Sequence, residues 1–335
     1  MVMKVCIVGL GAVGGLLAGK LGSRLPVGAL ELSALARGAT LAAVRAQGLV
    51  LESEDGRATV PLAVADEPAA LGVQDLVVLA VKGPALAAAA PAVAALCAPH
   101  TRVLSAMNGV PWWFFDGLGA GPAAGMRLDS VDPGGIVRRH IAPARVIGCV
   151  VHVAARTPAP GVVCHTGGQG LVVGNAVGAA DDSLHALAGL LERAGFGVTR
   201  SPRVQRDLWF KLWGNMTMNP VSALTGATCD RILDDELVRG LCSAVMREAQ
   251  ALGAAFGIPI EQQPEERHAV TRKLGAIRTS MLQDLDAGRP LELDALLGAV
   301  REIALQLGIA TPNVDALFGL TRLMARTRGL YPAAD

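Results

Sequence analysis

The chain lacks most of the residues that build metal, thiol or nucleic-acid chemistry. Its six cysteines (Cys6, Cys97, Cys149, Cys164, Cys229 and Cys242) form no C-x-x-C, and its six histidines are equally dispersed. That argues against a metal site and predicts reduced, mostly buried thiols in a cytoplasmic protein. An excess of one charge is also missing. The 30 Lys and Arg nearly balance the 29 Asp and Glu, leaving a formal charge of +1. Such balance gives no footing for nucleic acid or an acidic membrane surface. Long apolar runs are absent too. Residues 76–98 come nearest, but Lys82, Pro84 and Pro91 interrupt them before a span of about 20 residues is reached. Lys4 and the apolar run after it resemble a signal peptide, but the glycines that follow suit a different element. Aromatic residues make up only 3%, yet four of the ten Trp and Phe crowd into 112–115.

Apolar residues are plentiful, at 52% of 335 residues. That length and composition predict about two domains with a sizeable core. Near the N-terminus, Val5, Ile7 and Val8 form a strand-like run. Gly9, Gly11 and Gly14 follow as G-x-G-x-x-G, and Gly15-Leu16-Leu17-Ala18 continue as a helix. In that order the pattern predicts a dinucleotide loop built from Gly9, Leu10, Gly11, Ala12, Val13 and Gly14. Gly9 serves the turn, Gly11 admits the pyrophosphate, and Gly14 lets helix and strand approach. A glycine-rich turn of another α/β fold, or a methyltransferase-type loop, would look similar.

A second strand is predicted over 30–36. Arg37 stands at its end with Thr40 behind it, and no acidic residue follows nearby. An acid there would hold a ribose 2′-hydroxyl and an Arg a 2′-phosphate, so the cofactor expected is NADPH. A helix is predicted over 39–47, and a hairpin from 50–52 and 58–64. Further strands at 76–81 and 102–106 flank a helix at 85–97. Strands alternating with helices predict βαβ units, whose ligands sit beyond the strands' carboxyl ends. Lys82 and Asn108 lie at two such ends. Residues from 146 read as a small antiparallel extension, followed by a helix at 182–194 and a strand at 197–200. Beyond Ser201-Pro202 the chain reads as helices at 203–224, 236–256, 264–286, 292–308 and 313–328. The fold class is therefore α/β. An N-terminal Rossmann dinucleotide-binding domain (1–201) precedes an all-helical C-terminal domain (202–335), with a cleft expected between them.

Lys211, Asn215 and Asn219 are spaced four apart on an apolar helix. Each step of four drifts only about 40°, so the three share a face. A Lys and two Asn there are costly to bury without partners. They are a site, or else a snorkelling Lys with two interhelical amide bonds. Ser280, Asp284, Glu292 and Asp294 gather around the turn Gly288-Arg289-Pro290. Acids close to a helix start are also favoured simply as caps.

GLGAVG at 9–14, VK at 81–82, NG at 108–109, K-x3-N-x3-NP at 211–220, SMLQD at 280–284 and GRP-x-E at 288–292 occur together and in this order. The combination resembles the ketopantoate reductase family, 2-dehydropantoate 2-reductases, and spans essentially the whole chain. The resemblance implies an oxidoreductase of pantothenate biosynthesis that uses NADPH to reduce the 2-keto acid ketopantoate to pantoate. It implies Lys211 as general acid and Glu292 as the glutamate that contacts substrate and helps set the lysine. Ser280, Asn215 and Asn219 are implied substrate residues, Lys82 and Asn108 lie beside nicotinamide and substrate, and Arg37 takes the 2′-phosphate. The partner implied is a small-molecule 2-keto acid, with a homodimer as the assembly to test. A reductase of another 2-keto acid, or a nucleotide-binding protein without turnover, are the alternatives. Departures from the family pattern are Leu291 in place of Thr, Leu297-Gly298 in place of Asn-Gly, and Ile277-Arg278-Thr279 before the serine. Arg278 is a candidate for a carboxylate. The aromatic-rich insertion 111–145 is a pocket wall, a lid or a packed loop.

Overall fold

The computed structural model describes residues 2–333. They form two compact units. The first comprises the chain up to Met107 together with Gly134–Asp207, and the second Asn108–Pro133 together with the chain from Leu208 onward. Among the described residues no helix is long and apolar enough to cross a membrane.

The first unit begins with β1 (Met3–Val8), α1 (Ala12–Arg24), β2 (Leu30–Leu35), α2 (Gly38–Gln47), β3 (Leu49–Ser53), β4 (Gly56–Val60) and β5 (Ala63–Ala65). It continues with β6 (Gln74–Leu79), α3 (Leu86–Ala95), β7 (Cys97–Ser105), α4 (Ile136–His140), β8 (Val146–Ala159), β9 (Val162–Asn175), α5 (Asp182–Arg193) and β10 (Gly197–Arg200). Val5, Cys6, Ile7 and Val8 are all buried, as a parallel strand covered on both faces requires. Strands β5-β2-β1-β6-β7-β8 run parallel in that spatial order. Numbered along the chain, this is the doubly wound 3-2-1-4-5-6 arrangement, whose order reverses between β1 and β6.

Two sequence expectations change here. Residues 58–64 do not form one hairpin arm. Pro61 cannot donate to a ladder, and the run breaks there: β4 pairs antiparallel with β3, whereas β5 pairs parallel with β2. The region from 146 is more than a small extension. β8 and β9 each run for 14 residues as an antiparallel pair, and β8 docks parallel on β7 within the main sheet. β9 in turn carries β3 and β10. Helix α1 packs against this added layer. A Cβ at Gly15 would stand 2.4 Å from Val163, and one at Gly22 would stand 2.2 Å from Val60. The absence of side chains on that stripe sets the helix close to β9 and β4.

The second unit contains most of α6 (Val204–Thr225), then α7 (Cys229–Asp234), α8 (Glu236–Ala255), α9 (Pro264–Arg272), α10 (Ser280–Asp286), α11 (Ala299–Leu307) and α12 (Pro312–Thr327). The single helix expected over 264–286 is two. Gly275 has φ +69°, left-handed backbone that favours glycine, and Thr279 caps a fresh start by accepting from the Leu282 N–H. α7 was not foreseen. The expected 292–308 helix opens with a π-turn, Asp294–Gly298, before α11.

The aromatic run is core. Trp112, Trp113, Phe114 and Phe115 are all buried. Phe114 and Phe115 meet Phe256 edge-on at 6.0 and 5.5 Å, and Phe256 meets Trp209 at 4.8 Å. Rings of this size each bury about 150–250 Å², enough to anchor a segment otherwise short of regular structure. The packed-loop alternative holds, and neither a lid nor a pocket wall is needed to explain these rings.

His268 on α9 is buried, with both ring nitrogens unpartnered. Desolvation lowers its pKa; Glu265 opposes this, and Arg239, Arg247 and Arg272 reinforce it. A His depressed in the folded state binds fewer protons than in the unfolded chain. Its contribution to stability is therefore full above about pH 6.5 and is lost as pH falls toward the folded value. His268→Leu is expected to shrink the fall in Tm between pH 7.5 and pH 5. An undiminished fall would assign the acid sensitivity to other groups.

Candidate active site

The glycine loop occupies the β1–α1 turn at the reversal of strand order, where such sheets take ligands. Gly9 has φ +97°, and a Cβ there would press on Val81 and the Ala80 carbonyl. A Cβ at Gly14 would lie 2.0 Å from the Gly9 carbonyl oxygen, so only glycine allows the helix to start this close to the strand. Gly11 faces open space, with no atom within 4 Å of where its Cβ would be. It is also the N-cap of α1, which has no side-chain cap and no acid in its first turn. The first-turn N–H groups and the positive end of the helix are therefore left for an anion.

A cavity of about 530 Å³ opens from this loop. Val8–Gly11, Leu35, Ala36, Arg37 and Thr40 line it, with Val81 and Ala85 beyond β6. Arg37 is exposed at the N-cap of α2. Thr157–Gly161, the tip of the β8–β9 hairpin, complete the wall. The antiparallel extension expected from residue 146 carried no signal that would place its hairpin tip here. Lys82 follows Val81 and is the N-cap of a short 3₁₀ turn, Gly83–Ala85. A loop open at Gly11 and an uncapped helix terminus fit the pyrophosphate of a dinucleotide, and Arg37 stands at the second strand's end.

In the second unit, α6 presents Lys211, Asn215 and Asn219 on one face. Lys211 Nζ donates to Asn108 Oδ1 at 2.7 Å. Asn108 precedes a fixed segment. Gly109 has φ +81°, and a Cβ there would collide with the Ala295 carbonyl at 2.3 Å. The Val110 N–H donates to that same Ala295 oxygen at 2.8 Å. The π-turn that begins two residues after Glu292 thus receives the Asn108 segment, and π-turns recur at functional sites. Glu292 is half-buried and immediately precedes the helical residues. Asn219 is buried and donates to Ser280 Oγ at a long 3.4 Å, while Ser280 itself is exposed. Asp284, the other carboxylate near the Ser280 turn, is committed to Arg289 at 3.0 Å. Arg278 pairs with Asp286. The structure therefore brings Lys211 to Asn108 and Asn219 to Ser280.

The cysteines are unsuited to nucleophilic work. Burial pushes Cys6 up to about 11 and Cys242 up to about 12, so neither is a thiolate near neutrality.

The family model described as ketopantoate reductase PanE/ApbA matches residues 5–178, and its C-terminal counterpart matches 203–325. The chain belongs to the ketopantoate reductase family. The 2-dehydropantoate 2-reductase of Mesorhizobium japonicum is 42% identical over 329 residues, covering 98% of this chain and all of that protein. Among solved structures, a ketopantoate reductase candidate from Ralstonia solanacearum MolK2 is 52% identical with a TM-score of 0.94, covering 99% of this chain and 100% of that one. D-mandelate dehydrogenase, solved with NADH and anilino(oxo)acetate, shares the fold at TM-score 0.82 and 19% identity over 98% of this chain and 100% of its own. As a ketopantoate reductase family member, the chain is a nucleotide-dependent oxidoreductase acting on CH–OH groups of a small-molecule substrate.

The glycines give this family loop a direct test. Gly11→Ala is expected to leave Tm within a few degrees and to weaken dinucleotide binding in a titration. Gly14→Ala is expected to lower Tm sharply, because its methyl meets backbone. Equal effects of the two changes on Tm would overturn the division of roles.

Proposed function

We propose that this chain reduces 2-dehydropantoate to pantoate with NADPH, and that Lys211 is the general acid. The observation that carries this reading is the Lys211–Asn108 hydrogen bond of 2.7 Å on the polar face of an otherwise apolar helix. When bound, reduced nicotinamide supplies a hydride to the keto carbon. The developing negative charge on the C2 oxygen then needs a proton. The Lys211 ammonium supplies it and stabilises the oxyanion beforehand. Asn108 accepts from Nζ and so fixes its position without neutralising it, as a carboxylate would. Asn215, Asn219 and Ser280 hold substrate polar groups, and Glu292 takes a substrate hydroxyl and helps set the lysine. Gly9–Gly14 hold the pyrophosphate, Arg37 the 2′-phosphate, and Lys82 and Asn108 lie beside nicotinamide and substrate. On this reading residues 1–201 carry the cofactor. Residues 202–335 carry the chemistry, with the segment 108–133 that packs with them. A cytoplasmic homodimer is the form to test.

A second reading keeps the chemistry and changes the acid. Leu291 is buried where the family pattern has Thr, and Arg278 is engaged by Asp286. These differences favour a substrate pocket of altered shape and hence another branched 2-keto acid. NADPH oxidation at 340 nm against a panel of 2-keto acids, ketopantoate included, separates the two readings.

Lys211→Ala is expected to lower kcat about 10²–10⁴-fold with little change in NADPH affinity. Near wild-type turnover would remove Lys211 from the proton-transfer role. Arg37→Ala is expected to weaken NADPH far more than NADH. Equal weakening of both would mean that the 2′-phosphate is held elsewhere.

A further inference from the structure

Arg267 on α9 is a cation that the fold has partly dried without giving it a counter-charge. Its guanidinium carbon stands 5.6 Å from the Phe210 ring centroid on α6. It also rests against Gly214, where a Cβ would come within 2.8 Å of Nε and 3.0 Å of Nη2. Glycine at 214 therefore opens the seat in which the guanidinium lies. Nε is buried with no hydrogen-bond partner, and among the described residues no carboxylate pairs with Arg267. Burial lowers its pKa, and no acid acts in the other direction. A contact with an aromatic face offsets only part of the cost of desolvating a cation.

The setting identifies what completes it. Phe210 and Gly214 form a four-residue stripe on α6, and Lys211 and Asn215 form the adjoining one, about 100° round the same helix. A guanidinium with unused donors is matched to the two oxygens of a carboxylate, which it takes in a fork of parallel hydrogen bonds. On the reading above the glycine loop and Arg37 account for the phosphates of a dinucleotide, so an anion on the α6 stripe adjoining Lys211 belongs to the substrate. We propose that Arg267 binds the carboxylate of the 2-keto acid and that Gly214 is glycine to admit it. This rests on the 2-keto acid reading above. Arg267 is thereby a specificity residue, setting acid against neutral carbonyl compounds, while proton transfer stays with Lys211.

The test compares wild type with Arg267→Met and Arg267→Lys, using ketopantoate, its methyl ester and the unreactive carboxylate oxamate. Oxamate binding is followed by the intrinsic fluorescence of Trp209 and Trp213. Arg267→Met is expected to raise the ketopantoate KM and the oxamate Kd by 10–100-fold and to erase preference for acid over ester by the same factor. NADPH affinity should be retained, which also reports intact folding. Arg267→Lys, keeping the charge but not the fork, should recover part of the loss. If Arg267→Met does not fold, Gly214→Ala replaces it, since its methyl must displace the guanidinium and raise the same KM. Unchanged KM and oxamate Kd, or equal weakening of acid and ester, overturns the proposal. Wild type that binds oxamate through Arg267 yet reduces no 2-keto acid would leave the anion site standing and remove the reaction reading instead.

Discussion

The contact between the Gly9 carbonyl and the backbone of Gly14 is the constraint from which the first unit follows. With 2.0 Å between that oxygen and where a Cβ would be, no other residue lets α1 begin directly behind β1. Once the helix starts there, its uncapped N-terminus lies at the point where strand order reverses, and Gly11 remains open to whatever binds. The same closeness extends along α1. Gly15 and Gly22 press on Val163 and Val60, so the helix also seats the outer strands β9 and β4. One helix with few side chains on one stripe thus serves both the glycine loop and the packing of the sheet's added layer.

The second unit depends on a comparable economy around Asn108. Chain that would otherwise be a long loop is pinned at one point by the Val110 hydrogen bond to Ala295. Nearby, Phe114 and Phe115 are buried against Phe256 and Trp209. Trp209 stands two residues before Lys211 on α6, so the packing that fixes the loop also fixes the helix bearing the lysine. The proton-donor role proposed for Lys211 requires a side chain held to within fractions of an ångström. Here a cluster of rings provides that rigidity, and the amide of Asn108 makes the final adjustment.

Much of this was legible before any coordinates. The glycine spacing, the alternation of strands and helices, and the four-residue spacing of Lys211, Asn215 and Asn219 are local periodicities. Local stereochemistry enforces them whatever the rest of the chain does. The errors occurred where the pattern was interrupted by a single residue or decided at long range. Pro61 ended a strand, and Gly275 with Thr279 split a helix. The hairpin of β8 and β9 proved part of the main sheet because β8 found an edge on β7. The aromatic run at 112–115 was conspicuous but ambiguous, since burial of Trp and Phe depends on partners such as Phe256, far along the chain.

The amino-acid sequence by itself determined the α/β and helical halves, the glycine-rich strand–turn–helix and the helix face carrying Lys211, because each is written in residues a few positions apart. Only the tertiary structure decided that Asn108 meets Lys211 across 103 residues, that Thr157–Gly161 wall the cavity at the glycine loop, and that Arg267 is seated against Gly214 with no carboxylate partner among the described residues. Those pairings arise from packing and desolvation, which depend on which surfaces exclude water together and leave no periodic trace in the chain.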